Sequence, residues 1–201
     1  MPVRPPTALL GLLSRRAVAG RDPVDLAREA VDAGCLVALE GDADLVERIR
    51  DAGLAGAVEL TVASPGLAAP ALEAGLSVAV RRSSDAVDLP GARVIVRAGA
   101  PGAEDCCRRL AGRTVRLVQD RGRAAELAFV RCLNVLMAAE GHPGIAVSDP
   151  RLIAIAGERA AWNGRTSDSW ELVMPYGELV AERRRLVAAG SVVRVSIGGR
   201  R

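Results

Sequence analysis

Thr114-Val115-Arg116-Leu117-Val118-Gln119-Asp120 follows a Gly112 turn and is built mainly from apolar and β-branched residues. That is the composition of a short buried strand. Arg116 stands in its middle. A guanidinium keeps its charge, and burying one without a partner costs on the order of several kcal/mol. Arg116 must therefore face either a carboxylate from a neighbouring strand or an electron-rich ligand. Gln119 and Asp120 mark the strand's C-terminal end, where a β/α barrel carries its chemistry.

Outward from this strand, one unit recurs: a helical stretch, a glycine turn, then a short apolar run. Asp32-Ala33-Gly34 precedes Cys35–Glu40, Asp51-Ala52-Gly53 precedes Ala57–Val62, and Glu73-Ala74-Gly75 precedes Leu76–Val80. Ala111-Gly112 precedes Thr114–Gln119, Glu140-Gly141 precedes Ile145–Ser148, and Ala189-Gly190 precedes Ser191–Ile197. Glycine after a helix reads as its left-handed cap. Arg93–Arg97 and Trp170–Met174 supply two further strands. Eight strands with room for crossover helices predict a compact (β/α)8 TIM-like barrel, a single domain over residues 1–201.

Among the helices, Arg123–Glu140 carries the stripe Phe129, Val130, Leu133, Leu136 and Met137, and Asp149–Trp162 opens on an Asp-Pro start signal. Gly177–Ala189 is expected to turn Leu179, Val180, Leu186 and Val187 inward. Gly66–Glu73, interrupted by Pro70, and Ser83–Leu89 are meagre covers for strands three and four. The barrel is predicted to lack its final helix. Apolar surface between the N-terminal helix and strand eight is then either open or covered by residues 3–20, inviting a protein partner or self-association.

Composition narrows the function. Half of the 201 residues are apolar and a quarter are charged, with no apolar run long enough to span a bilayer. The run Ala8–Leu13 is interrupted by Ser14-Arg15-Arg16 and reads as an amphipathic lead-in rather than a signal peptide. Cys35, Cys106, Cys107 and Cys132 have neither CxxC spacing nor a nearby histidine, which predicts inert packed thiols in a cytoplasmic protein. The net charge of +3 is carried wholly by arginine, since the chain contains no lysine. That excludes Schiff-base chemistry and a P-loop. The chain has two Trp, one Tyr and one Phe to stack on bases, so no nucleic-acid partner is expected.

Several segments together resemble the proline dehydrogenase family. They are Ser14-Arg15-Arg16-Ala17-Val18-Ala19-Gly20 with the helix to Gly34 and Leu36–Glu40, then Val115-Arg116-Leu117-Val118, Ala146–Ile153, Glu171–Gly177 and Val193-Arg194-Val195. Residues 63–110 match only in outline. Members of that family are FAD-dependent β/α barrels that oxidise proline to pyrroline carboxylate, so the resemblance implies FAD as cofactor. It places Arg116 beside the flavin ring and Asp149 at an Asp/Asn after the sixth strand. Gln119 stands where the family has a flavin-contacting lysine, Ser148 where it has a histidine, Arg97 a glutamine, and Ser196 a tyrosine. Glu59 takes the place of an active-site lysine and reverses its charge. The arginines that hold the substrate carboxylate belong to the missing final helix, and Arg200 and Arg201 are superficial substitutes.

The resemblance thus makes Arg116, Gln119, Arg97, Ser148 and Asp149 the candidate cofactor residues, and Glu59, Tyr176 and Arg194 the candidate substrate residues. No catalytic residue and no metal ligand is assigned. Beside this stands a plainer account. Glu59 can satisfy Arg116 as an internal ion pair, with Glu40 and Glu171 as other strand-borne partners. Arg194 reads likewise, Asp149 as a helix N-cap, Tyr176 as a packed ring, and His142 as a turn residue on the N-terminal face. The expected function is a non-catalytic binding or scaffolding barrel with a degenerate site. The alternative is an FAD-dependent oxidoreductase acting on proline or a related amine.

Overall fold

Alternation along each strand decides which side chains enter the barrel and which face the helices. The computed structural model describes residues 20–62, 66, 68–82 and 90–198. Its strands are β1 (Leu36–Glu40), β2 (Val58–Val62), β3 (Ser77–Arg81), β4 (Arg93–Arg97), β5 (Val115–Val118), β6 (Pro143–Ala146), β7 (Glu171–Pro175) and β8 (Val193–Ile197). Each pairs in parallel with the next, and β1 pairs with β8 to close the barrel. The described helices are α1 (Pro23–Asp32), α2 (Ala43–Asp51), α3 (Ala68–Glu73), α4 (Ala103–Leu110), α5 (Arg123–Met137), α6 (Pro150–Trp162) and α7 (Val180–Ala188). The expected TIM-like barrel is the fold, and no helix follows β8 among the described residues.

Aspartates start three of the helices. Asp22 accepts from the Val24 amide at 2.7 Å, Asp42 from Leu45 at 3.4 Å, and Asp149 from Arg151 at 2.9 Å; each satisfies an amide that the helix itself cannot. At the other ends, Gly34, Gly53, Gly75 and Gly190 have φ between +71° and +80°, the left-handed cap that glycine adopts without strain. Gly112 and Gly141 do not share that conformation. Gly141 is required for a different reason: a Cβ there would stand 2.4 Å from the Arg113 carbonyl oxygen and 2.5 Å from that of Ala111.

Outward-facing strand residues build two apolar shells. One joins Val94, Val96, Val115, Leu117, Ile145 and Leu172 to the buried faces of α4, α5 and α6. The other joins Val37, Leu39, Val58, Leu60, Val78 and Val80 to α1, α2 and α3. Val195 and Ile197 of β8 belong to the second shell, beside Leu26, Ala27 and Ala30 of α1. Helix α1 packs on both β1 and β8, so it occupies the place of a crossover between the last strand and the first. Of the two expected outcomes, an open strip or a cover from residues 3–20, the described residues show Val195 and Ile197 buried. Residues 3–19, the Ser83–Leu89 cover and Arg200-Arg201 lie outside the described residues.

Three expected boundaries move. Strand β6 begins at Pro143 rather than Ile145, and its ladder ends at Ala146 as the chain turns toward the Asp149 cap. Helix α5 ends at Met137. Helix α7 starts only at Val180, because Gly177 (φ 78°) and Leu179 (φ 48°) form a left-handed turn. Of its expected inward residues only Leu186 is buried; Leu179, Val180 and Val187 are half-buried. The cysteines are unpaired and buried. Cys107 nevertheless meets a thiol neighbour, Cys132 on α5, whose hydrogen bond pushes the Cys107 thiol up. No helix among the described residues is long and apolar enough to cross a membrane.

Leu26 of α1 is fully buried, whereas Leu127 of α5 is 58% exposed. Leu26→Ala is expected to destabilise by about 2–5 kcal/mol and Leu127→Ala by less than about 0.5 kcal/mol, read from urea unfolding. Equal losses would show that α1 does not close the β8–β1 arc.

Candidate functional site

The inward positions near the N-terminal ends of the strands carry charge. Glu59 on β2, Arg93 on β4, Arg116 on β5, Glu171 on β7 and Arg194 on β8 are all buried, with exposures between 1% and 7%. Their outward neighbours Val58, Leu60, Val94, Val115, Leu117, Leu172, Val193 and Val195 fill the apolar shells, so period-two alternation forces these five together. Arg116 Nη2 donates to Glu59 Oε1, and Arg93 Nε donates to Glu59 Oε2 at 2.6 Å. Arg194 grips Glu171 with two parallel bonds, Nε to Oε1 at 2.8 Å and Nη2 to Oε2 at 3.0 Å. Arg93 links the two groups, with its Nη2 3.4 Å from Glu171 Oε1.

Backbone carbonyls take two further donors: Val37 accepts from Arg194 at 2.9 Å and His142 from Arg93 at 3.3 Å. Strand β6 contributes Gly144 to this layer, and a Cβ there would stand 2.9 Å from Arg93 Nη1 and 3.0 Å from Glu171 Oε1. The glycine is the space through which the ion layer passes. Arg116 Nε alone in this layer is buried without a hydrogen-bond partner.

Burial, the largest influence on Glu59, would raise its pKa. The attraction of Arg116, Arg93 and Arg194 outweighs it and holds the carboxyl below the usual range. Desolvation lowers Arg116, opposed by Glu59. At Arg194 burial acts downward too, but the bonds to Glu171 and the charge of Glu59 carry the guanidinium upward. A carboxylate held this firmly in its ionised form is a weak base, and a guanidinium is a poor acid. The layer is suited to fixing strands rather than to moving protons.

The remaining sequence candidates lie at the opposite, C-terminal ends. Arg97 binds Asp120 through Nε at 2.9 Å and through Nη2, and Asp120 also accepts from the Gly99 amide at 3.0 Å. Arg81 and Glu40 form another pair across the rim. The Tyr176 hydroxyl accepts from Arg21 Nη1 at 3.1 Å, and Arg21 binds Glu29 at 2.7 Å. Burial pushes the Tyr176 phenol up. Asp149 caps α6 and also accepts from Arg151 Nη2 at 2.9 Å. Gln119 and Ser148 are half-buried at the ends of β5 and β6. The structure therefore splits the eight candidates: Glu59, Arg116 and Arg194 form a layer at the base, while Arg97, Gln119, Ser148, Asp149 and Tyr176 stand at the mouth.

The expected Glu59–Arg116 pair is present, and Glu171 serves Arg194 and Arg93. Arg93 is what the sequence reading missed. The signal was there: Arg93 and Arg97 share a face of Arg93–Arg97, so placing one inside places the other. His142 supplies a backbone carbonyl to Arg93, and its ring Nε2 lies 3.0 Å from the Asp168 carbonyl oxygen, in keeping with a turn residue. Among the described residues no group of three or more His, Cys, Asp or Glu could hold a metal.

No protein-family model matches the chain, and neither does any curated protein sequence. Solved structures do. A proline utilization A protein from Bdellovibrio bacteriovorus, inactivated by N-propargylglycine, superposes with a TM-score of 0.70 at 12% identity over 88% of this chain. A bifunctional proline utilization A protein gives 0.61 at 15% identity over 81%, and the Bradyrhizobium japonicum protein, in a variant form, 0.60 at 15% over 81%. This chain spans 30%, 26% and 26% of their respective lengths. At such identities the likeness is one of fold: the chain is a proline-dehydrogenase-like barrel in architecture.

Removing one member of the layer leaves a buried charge uncompensated, so Glu59→Ala is expected to destabilise by about 3–5 kcal/mol. Its ion pairs contribute fully above about pH 4.3, the ordinary glutamate value. They are lost as pH falls through the lower folded-state value. The stability gap between wild type and Glu59→Gln in urea should accordingly be flat near neutrality and shrink in acid. A gap that grows on acidification would contradict the assignment.

Proposed function

We propose that this barrel performs no flavin chemistry and serves as a non-catalytic binding or scaffolding protein. The observation that carries the reading is Glu59 seated on Arg116. Flavin reduction places negative charge on the ring, and a neighbouring cation stabilises it most as the electrons arrive. Here the cation that the resemblance assigns to the ring is buried and already neutralised by a carboxylate. At the mouth Arg97 is held by Asp120, and no lysine exists to replace either. The residues present do not fit FAD. A carboxylate in place of a cation shifts local electrostatics by several kcal/mol in a water-poor site, or roughly several powers of ten in rate.

A second reading, an FAD-dependent oxidoreductase of proline or a related amine, has one observation in its favour. Ile95, Val118, Ala146 and Ser196, above the ion layer, are only half-buried, so the inward positions next to the mouth are partly accessible and carry no charge.

The visible spectrum of the purified protein separates the two. The expected result is no flavin band, no proline-dependent dye reduction, and a thermal midpoint unmoved by excess FAD. Flavin near one per chain, or an FAD-dependent rise in the midpoint, would overturn the proposal.

A further inference from the structure

The three arginines inside the barrel are not equally satisfied. Arg93 uses all three of its guanidinium nitrogens, on Glu59, Glu171 and the His142 carbonyl. Arg194 does the same, on Glu171 and the Val37 carbonyl. Arg116 uses one, Nη2 on Glu59. Its Nε is buried without a partner, and its Nη1, which keeps contact with solvent, makes no hydrogen bond either.

The charges are unequal as well. Three guanidinia meet two carboxylates, and all five residues are 1% to 7% exposed. The charges that act on Arg116 are those of the other four, so one positive charge is left uncompensated in the interior, a costly state for a buried ion.

The register shows where that charge can be reached. Alternate strands of an eight-stranded barrel supply the successive levels of its interior. Followed round the parallel pairs, Glu59, Arg93, Gly144 and Arg194 share one level, and Arg116 stands on the next toward the mouth, with Ala38 and Ala79. Above it come Thr61, Ile95, Ala146 and Ser196; the last three are half-buried and none of the four is charged. Thr61 faces inward, since its neighbours Leu60 and Val62 belong to the apolar shell. Its hydroxyl has no hydrogen-bond partner among the described residues.

We propose that the barrel holds one compact monoanion at this level, a halide or a short carboxylate such as formate, bonded to Arg116 Nη1 and to the Thr61 hydroxyl. One negative charge balances the five ions, whereas a dianion would reverse the imbalance. The four side chains that meet above Arg116 keep the ligand small. The inference rests on the reading that no flavin fills the mouth, and it names what such a binding barrel takes up.

Thermal unfolding of the purified protein tests this, with sodium gluconate replaced stepwise by sodium chloride or sodium formate at constant ionic strength. Both small anions should raise the midpoint saturably, by roughly 3–6 °C at ten times the half-saturating concentration; gluconate is too large to enter. Thr61→Val should raise the half-saturating concentration about tenfold, the order of one hydrogen bond to a charge. Ser196→Asp sets a fixed carboxylate at the same level and should abolish the anion effect, whereas Ser196→Asn, equal in size, should keep it. If Ser196→Asp does not fold, Thr61→Val decides. A midpoint that rises without saturation, an unshifted titration in Thr61→Val, or an undiminished one in Ser196→Asp would each overturn the proposal. Those results in flavin-free protein overturn the anion site alone; a flavin band in the visible spectrum overturns the reading beneath it and the anion site with it.

Discussion

Two carboxylates, Glu59 and Glu171, are shared among three guanidinia inside a closed barrel, and Arg93 touches both carboxylates. Each ion has left water at a cost of several kcal/mol, and only the mutual attraction of all five, with the carbonyls of Val37 and His142, offsets it. The layer joins β2, β4, β5, β7 and β8 and reaches β1 through the Val37 carbonyl. A slip of one residue in β4 would bring Val94 inside and push Arg93 into the apolar shell. Charge therefore sets the register here as firmly as hydrophobicity does.

Outside the strands, the packing is conventional: two apolar shells made by alternate strand residues and helix faces. Closure comes from an unexpected quarter. Helix α1 precedes β1 in the chain, yet it covers both β1 and β8, so the circle of helices is completed from the front. Over β7, where α7 buries only Leu186, the wall opens into a cleft.

The two ends of the barrel have been put to different use. At the base, ions are buried and bonded to one another; at the mouth, Arg97 with Asp120 and Arg81 with Glu40 pair across the rim. The β/α-barrel architecture is shared with the proline utilization A proteins at 12–15% identity, and a shared fold leaves the interior free to differ.

The strand and helix pattern was legible in the sequence because it is local. Period-two runs such as Arg93–Arg97, the Asp cap at Asp149, and glycines after helices report the chain's own conformational preferences. A buried arginine in β5 requires a counter-charge wherever the fold places it, so Arg116 and Glu59 could be matched by chemistry alone. What needed the tertiary structure was distance across the barrel. Arg93, 34 residues from Glu59 and separated from it by a whole strand, joins the layer only when the sheet closes. Glu171 turns to Arg194 because those strands are neighbours. Gly144 and Gly141 look like ordinary turn glycines until a guanidinium and two carbonyls are seen where a Cβ would be. Capping and alternation are properties of a few consecutive residues, whereas a charge network and a close backbone approach exist only between segments that folding brings together.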